Sequence, residues 1–155
     1  MILRDPVHGL VSFESEELRV VELLLECREI QRLRRIRQLG LTSLAYPGAD
    51  HTRFSHALGT AHVMSRFIAR MRTLDGGLPP EQRLSSERAR EALAAALLHD
   101  IGHGPFSHLF ESVVPDGARH EDWSERILLD EGTEIHRVLK RLDPELPQRV
   151  VRLIH

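Results

Sequence analysis

Residues 93 to 108, Leu-Ala-Ala-Ala-Leu-Leu-His-Asp-Ile-Gly-His-Gly-Pro-Phe-Ser-His, deliver His99, Asp100, His103 and His108 at the end of an apolar run. Ala94, Ala95, Leu97 and Leu98 are the small and branched types of a buried helix, so a His-Asp pair at its end needs partners. A bound divalent cation would supply them, because imidazole suits Zn, Fe, Mn or Ni and a carboxylate admits harder ions such as Mg. Neighbouring helical residues point about 100° apart, so His99 and Asp100 can share one ion only in a notch where another helix comes close. More ligands must come from elsewhere; His56 on an upstream helix and His120 after a downstream loop are the histidines that stand with this run. The plainer reading, core histidines hydrogen-bonded to backbone, has to explain several such residues at once.

The elements that must position these groups follow from periodicity. Residues 1 to 13 read as a small hairpin, with Ile2-Leu3 and Leu10 to Phe13 flanking Asp5-Pro6-Val7-His8-Gly9. From Glu14 to Leu39 the apolar positions recur at three and four, which predicts one long helix or two short ones ending at Gly40. Its outer face carries Arg28, Arg32, Arg34, Arg35 and Arg37, a charge run whose bland reading is a solvated face and whose sharper reading is nucleotide or nucleic-acid contact. After a loop over Leu41 to Thr52, a helix runs from about Arg53 to Thr73, with Phe54, Ala57, Leu58, Ala61, Met64, Ile68 and Met71 inward and His56 beside them. Residues 75 to 84 form an exposed linker, and Ser85 or Ser86 caps the central helix. Gly102 and Gly104 break that helix and Pro105 suits the start of another, so His99 and His103 end one element and His108 begins the next. Helices near 120 to 130, 133 to 142 and 146 to 155 follow a polar loop at 115 to 119. The last stops at His155 without a cap, so the chain looks truncated.

Composition narrows the class. A chain of 155 residues with 41% hydrophobic and 28% charged content makes one soluble domain with a proper core. A net charge of -2 gives no global footprint for nucleic acid or an anionic membrane. No window reaches the roughly 18 apolar residues of a span, and the start lacks a signal pattern, so the expected location is cytoplasmic. With Cys27 the single cysteine, an internal disulfide and a Cys-rich zinc site are excluded, leaving histidine and carboxylate as ligands.

The ordered series Asp5-Pro-Val-His-Gly9, Gln31-Arg-Leu-Arg34, Gln38-Leu-Gly40, Tyr46-Pro-Gly-Ala49, Arg53-Phe-Ser-His56 and His99 to His108 resembles the HD superfamily of metal-dependent phosphohydrolases. The likeness is closest to the branch of the deoxynucleoside triphosphate triphosphohydrolases that holds the SAM-and-HD-domain enzyme and bacterial dGTPases. It implies an all-α HD-domain helical bundle with a small N-terminal β-hairpin, lacking the C-terminal part of the family domain. It implies that His56, His99 and Asp100 are metal ligands, that Arg53 grips the phosphate chain, and that Gln38 and Leu39 contact the sugar. A fourth ligand, an aspartate well beyond His120 in the family, has no counterpart here; Asp122, Asp130 and Asp143 are not promoted to that role. His108 is the candidate general acid, His103 and His120 shape the phosphate site, and Glu111, one turn after His108, would orient that imidazole. Asp5, Gln31 and Arg34 match part of a nucleotide effector pocket between subunits, so a homo-oligomer is implied. His62, His136 and His155 read as turn or surface histidines, and His8 and His51 have weak claims.

Three functions stay open from sequence: hydrolysis of deoxynucleoside triphosphates to deoxynucleoside and inorganic triphosphate; a truncated, catalytically impaired module that binds nucleotide or oligomerises; and hydrolysis of another phosphate ester.

Overall fold

The computed structural model describes residues 2–106, 108–112 and 118–155, with His108 and Phe110 described by backbone alone. Strands β1 (Ile2–Asp5) and β2 (Gly9–Ser12) pair antiparallel with Asp5 opposite Gly9. The turn between them is held by the Asp5 carboxylate, which accepts the backbone N–H groups of Val7 and His8 at 2.9 and 2.8 Å. Gly9 has φ +75°, a conformation that a Cβ would strain.

The helices are α1 (Arg19–Leu25), α2 (Arg28–Gln31), α3 (Arg53–Leu74), α4 (Ser86–Leu98), α5 (His108–Glu111), α6 (His120–Leu129), α7 (Glu134–Leu142) and α8 (Leu146–Ile154). Helix α4 is the centre: it packs against α1, α3 and α8, and Leu93, Ala94, Leu97 and Leu98 are fully buried. Each buried leucine contributes about 2 kcal/mol of transfer free energy, which is why the alanine and leucine run precedes the site. Ser85 is the cap of α4, accepting the Arg88 N–H at 3.2 Å, and Thr52 caps α3.

The region 14 to 39 is more broken than its periodicity predicts. Cys27 is extended (φ -65°, ψ 137°) and separates α1 from α2, and α2 tightens into a 3-10 turn over Arg32–Arg35. Gly40, with φ +56°, opens a second 3-10 turn (Gly40–Leu44) instead of simply ending a helix. The arginine face is correspondingly not all solvated. Arg32 turns inward and donates to the carbonyls of His103 (2.9 Å) and Ile101, and the Arg34 guanidinium lies 3.6 Å from the centre of the Phe54 ring. On the long helix Met71 faces out, not in.

Glu29 and Glu134 cap each other's helices: Glu134 accepts the Arg28 N–H at 2.8 Å and Glu29 accepts the Glu134 N–H at 3.1 Å. Buried Cys27 lies beside them, and burial, reinforced by Glu29, Glu134 and Glu26, pushes its thiol up to about 12. His136 is also corrected: it is a buried histidine, not a surface one, and its Nδ1 donates to the Leu128 carbonyl at 2.9 Å, satisfying one of the last acceptors of α6. Replacing it by alanine is expected to cost about 2 kcal/mol of stability in urea denaturation through the lost bond and the cavity, while leaving metal content unchanged.

Candidate metal centre

Helix crossing brings the separated motifs together. His56 sits in the first turn of α3 and His99 caps the end of α4, so the two helices present their imidazoles across one notch. The two Nε2 atoms are 3.1 Å apart. Asp100 completes the group, with Oδ1 3.4 Å from His99 Nε2 and Oδ2 3.7 Å from His56 Nε2. His99 Nδ1 donates to the Ala96 carbonyl at 2.9 Å, which leaves the lone pair on Nε2, facing His56. The Thr60 hydroxyl of α3 lies 2.8 Å from that same Ala96 carbonyl and 2.8 Å from the Ala57 carbonyl, and shares its one hydrogen between them. Burial pushes the His56 imidazole below its usual range, with His99 and Arg53 adding to the effect and Asp100 opposing it, so the neutral ligand form is favoured.

Asp100 is held by a dense set of outer partners. Arg53 donates to its Oδ2 at 2.5 Å and Gln38 at 3.3 Å. Burial works against its ionisation, yet His99, Arg53, His103 and Gln38 together hold the carboxyl below the usual carboxylate range. The backbone explains how residues so distant in sequence reach it: Gln38 N–H donates to His51 O at 3.0 Å and Arg53 N–H to Ile36 O at 2.9 Å, tying the strand-like segment at 36–38 to the start of α3.

The residues present fit a divalent cation. Two nitrogens each about 2.0–2.1 Å from one ion stand roughly 3 Å apart, which is the spacing these imidazoles already have. Two imidazoles and a carboxylate are a ligand set that transition ions accept, and the outer bonds to Asp100 and His99 are those that orient such ligands. One side remains open, onto a cavity of about 830 Å³ whose walls include His56, His99, Val63, Phe67 and the hairpin turn.

A second cluster adjoins the first. His103, buried, has its Nε2 3.5 Å from Asp100 Oδ1 and stacks on His120 with ring centres 3.8 Å apart and planes 12° from parallel. His120 Nδ1 in turn donates to Glu111 at 2.8 Å. Glu111 accepts this bond from His120; the side chain of His108, its partner expected from sequence, lies outside the described residues. Leu39 is exposed and makes no part of the Asp100 network, whereas Gln38 does. Arg53, expected on the phosphate chain, is 3% exposed and set on Asp100. Sequence reasoning missed Arg32, which fixes the turn carrying His103 from below. It read Gly102 only as a helix breaker, whereas a Cβ there would meet the α6 backbone; a glycine between two site residues is the signal that could have exposed a close backbone approach.

The fold and site define a helical domain in which a His and a His-Asp pair form a group that could hold a metal ion. The chain belongs to the HD domain family, whose model matches residues 53–154, within the superfamily of HD phosphohydrolases. It is 40% identical over 153 residues to the uncharacterized protein YwfO of Bacillus subtilis, covering 99% of this chain and 33% of that protein. It is 35% identical over 132 residues to the deoxynucleoside triphosphate triphosphohydrolase SAMHD1 homolog of Dictyostelium discoideum, covering 82% of this chain and 24% of that one. Among solved structures, a phosphohydrolase from Bacteroides thetaiotaomicron superposes with a TM-score of 0.73 at 36% identity, over 97% of this chain and 34% of the other. A hypothetical protein from Aquifex aeolicus gives 0.75 at 35% identity, over 99% and 37%. The chain therefore spans about a third or less of the length of these relatives. Among the described residues no helix is long and apolar enough to cross a membrane.

Proposed function

We propose that this chain carries the phosphate-hydrolysing centre of a deoxynucleoside triphosphate triphosphohydrolase, releasing deoxynucleoside and inorganic triphosphate. The observation that supports this best is the convergence of His56 and His99 Nε2 at 3.1 Å beside Asp100. These three residues would hold a divalent ion, Zn, Fe, Mn, Ni or Mg. When bound, such an ion polarises a phosphoryl oxygen and lowers the pKa of water at the site toward neutrality.

The chain's own residues supply the rest. The stacked His103 and His120, one beside Asp100 and the other beside Glu111, form a rigid donor pair for phosphate oxygens. His108 begins α5 just past that pair and is the proposed proton donor to the departing 5′ oxygen. Gln38 positions Asp100 and, with Leu39, borders the proposed sugar side; Arg53 supplies the guanidinium for the phosphate chain. A homo-oligomer is part of the proposal.

One observation favours the second reading, a nucleotide-binding module without turnover: Arg53 is committed to Asp100 and buried. Elemental analysis together with a dGTP assay that reads triphosphate separates them. We expect bound metal and triphosphate release from the chain, loss of both in His99→Ala, and in His108→Ala retained metal with turnover lowered by about 10²- to 10⁴-fold. Metal retained in His99→Ala refutes the centre. Metal and dGTP binding without triphosphate support the module, and release of monophosphate points to a different ester.

A further inference from the structure

Cys27, at the extended break between α1 and α2, stands beside two carboxylates, Glu29 in α2 and Glu134 at the start of α7. Its Sγ and one oxygen from each glutamate lie within 4.8 Å of one another. The reciprocal caps orient both carboxylates: Glu29 Oε1 accepts the Glu134 N–H at 3.1 Å and Arg28 Nε at 3.2 Å, and Glu134 Oε2 accepts the Arg28 N–H at 2.8 Å. Each keeps one oxygen outside the caps. On Glu29, a residue only 9% exposed, that oxygen is Oε2, which is sealed from water and meets no hydrogen-bond donor. A buried carboxylate oxygen without a partner is costly, and a cation beside it removes the cost.

The counter-charge in place is small. Arg28 reaches Glu29 alone, while Arg137 donates to the carbonyls of Thr133 at 3.1 Å and Gly132 at 3.5 Å. Glu29 and Glu134 are the charges that act most strongly on the Cys27 thiol, which sets both against the sulfur. A cleft of about 330 Å³, walled by Leu23, Cys27, Glu134, Arg137 and Val138, gives an ion its way in. Zinc binds thiolate at about 2.3 Å and carboxylate at about 2.0–2.2 Å, so these ligands stand about 3.5 Å apart around a tetrahedral ion. Small side-chain rotations reach that spacing, and water from the cleft fills the fourth position.

We propose that Cys27, Glu29 and Glu134 form a second metal site, which takes a thiophilic divalent ion of the zinc class and ties the α1–α2 break to α7. The thiol proton leaves to solvent as the ion binds. Its sulfur and oxygen ligands separate it from the nitrogen and oxygen ligands of the notch, and it stands independently of the phosphohydrolase reading.

Cobalt(II) reads this site directly, because thiolate-to-cobalt charge transfer gives a near-ultraviolet band and Cys27 is the single cysteine of the chain. The His56, His99 and Asp100 side chains give no such band. Titrated with Co²⁺ under argon, the chain should develop the band, and Zn²⁺ should displace it. Glu29→Gln and Glu134→Gln, which keep the shape and an acceptor for each cap, should each weaken Co²⁺ binding at least about tenfold, since even outer partners of a metal ligand are worth about that much. Circular dichroism should be unchanged. Exposed Glu26, on the cleft wall but outside the group, is the control: Glu26→Gln should shift binding by less than about threefold. Should a glutamine variant unfold, zinc stoichiometry decides, with Cys27→Ala holding one zinc fewer per chain than the parent. No band at millimolar Co²⁺, a band that the two glutamine variants leave unmoved or that Glu26→Gln weakens as much, or equal zinc in the parent and Cys27→Ala overturns the proposal. Elemental analyses of the notch variants are read in the Cys27→Ala background, so that the ion counted is the one held by His56, His99 and Asp100.

Discussion

Asp100→Ala is expected to lower stability by about 3 kcal/mol and to empty the metal site in the same step. The carboxylate does two things at once. Its Oδ1 faces His99, and its Oδ2 both faces His56 at 3.7 Å and accepts Arg53 at 2.5 Å and Gln38 at 3.3 Å. Arg53 is 3% exposed, so removing its carboxylate strips a buried guanidinium of its principal counter-charge, a change that costs about 3–5 kcal/mol in comparable buried pairs. Asp100→Asn separates the two roles. The amide keeps the shape and an acceptor for Arg53, so the stability loss should be about half as large, while the neutral oxygen is a poorer ligand and metal is still lost. Urea denaturation at constant m and elemental analysis on both variants read the two effects independently. A Asp100→Ala protein as stable as the parent would show that Arg53 finds equal compensation elsewhere.

Gly102→Ala should be at least as damaging without touching any ligand. A Cβ at this position would stand 2.0 Å from the His120 carbonyl oxygen and 2.5 Å from the Ser124 nitrogen, both backbone atoms that no rotamer change can move. Helix α6 must shift by more than an ångström. That displaces His120 from its stack on His103 and opens the 3.0 Å bond from Gly102 N–H to Ser124 Oγ. The expected loss is about 3 kcal/mol or more, which for a chain of this size lowers the melting temperature by roughly 6–12 °C. Gly76→Ala and Gly77→Ala meet nothing within 4 Å and serve as controls, each within about 0.5 kcal/mol of the parent. A melting temperature within a degree or two of the parent for Gly102→Ala would mean that α6 is not seated where the structure puts it.

Most of the helices, and the grouping of His56 with His99 and Asp100, are legible in the sequence because they rest on short-range signals. Leu93 to Leu98 has the types of a buried helix, Ser85 is a good cap, and His99-Asp100 at the end of such a run calls for polar partners. The linkages are less legible. Arg32 belongs by type and spacing to an exposed basic face, and only the break at extended Cys27 and the tightening over Arg32–Arg35 rotate it toward Ile101 and His103. That Glu111 bonds His120, brought in from α6, depends on a crossing that periodicity does not encode. His136 carries the same polar label as any surface histidine; its burial follows from the Leu128 carbonyl left open at the end of α6. Tertiary crossings, not local propensity, decide all three.

The Ala96 carbonyl accepts two donors, the Thr60 hydroxyl of the neighbouring helix, which it shares with the Ala57 carbonyl, and the ring of His99. A single oxygen therefore belongs both to the seam between α3 and α4 and to the device that sets which imidazole nitrogen is free. Sliding one helix along the other would pull at the atom that fixes this tautomer, and a ring that changed its tautomer would loosen the seam. The rigidity of this imidazole is in this sense borrowed from the framework, and the site has no mechanical independence from the bundle that carries it.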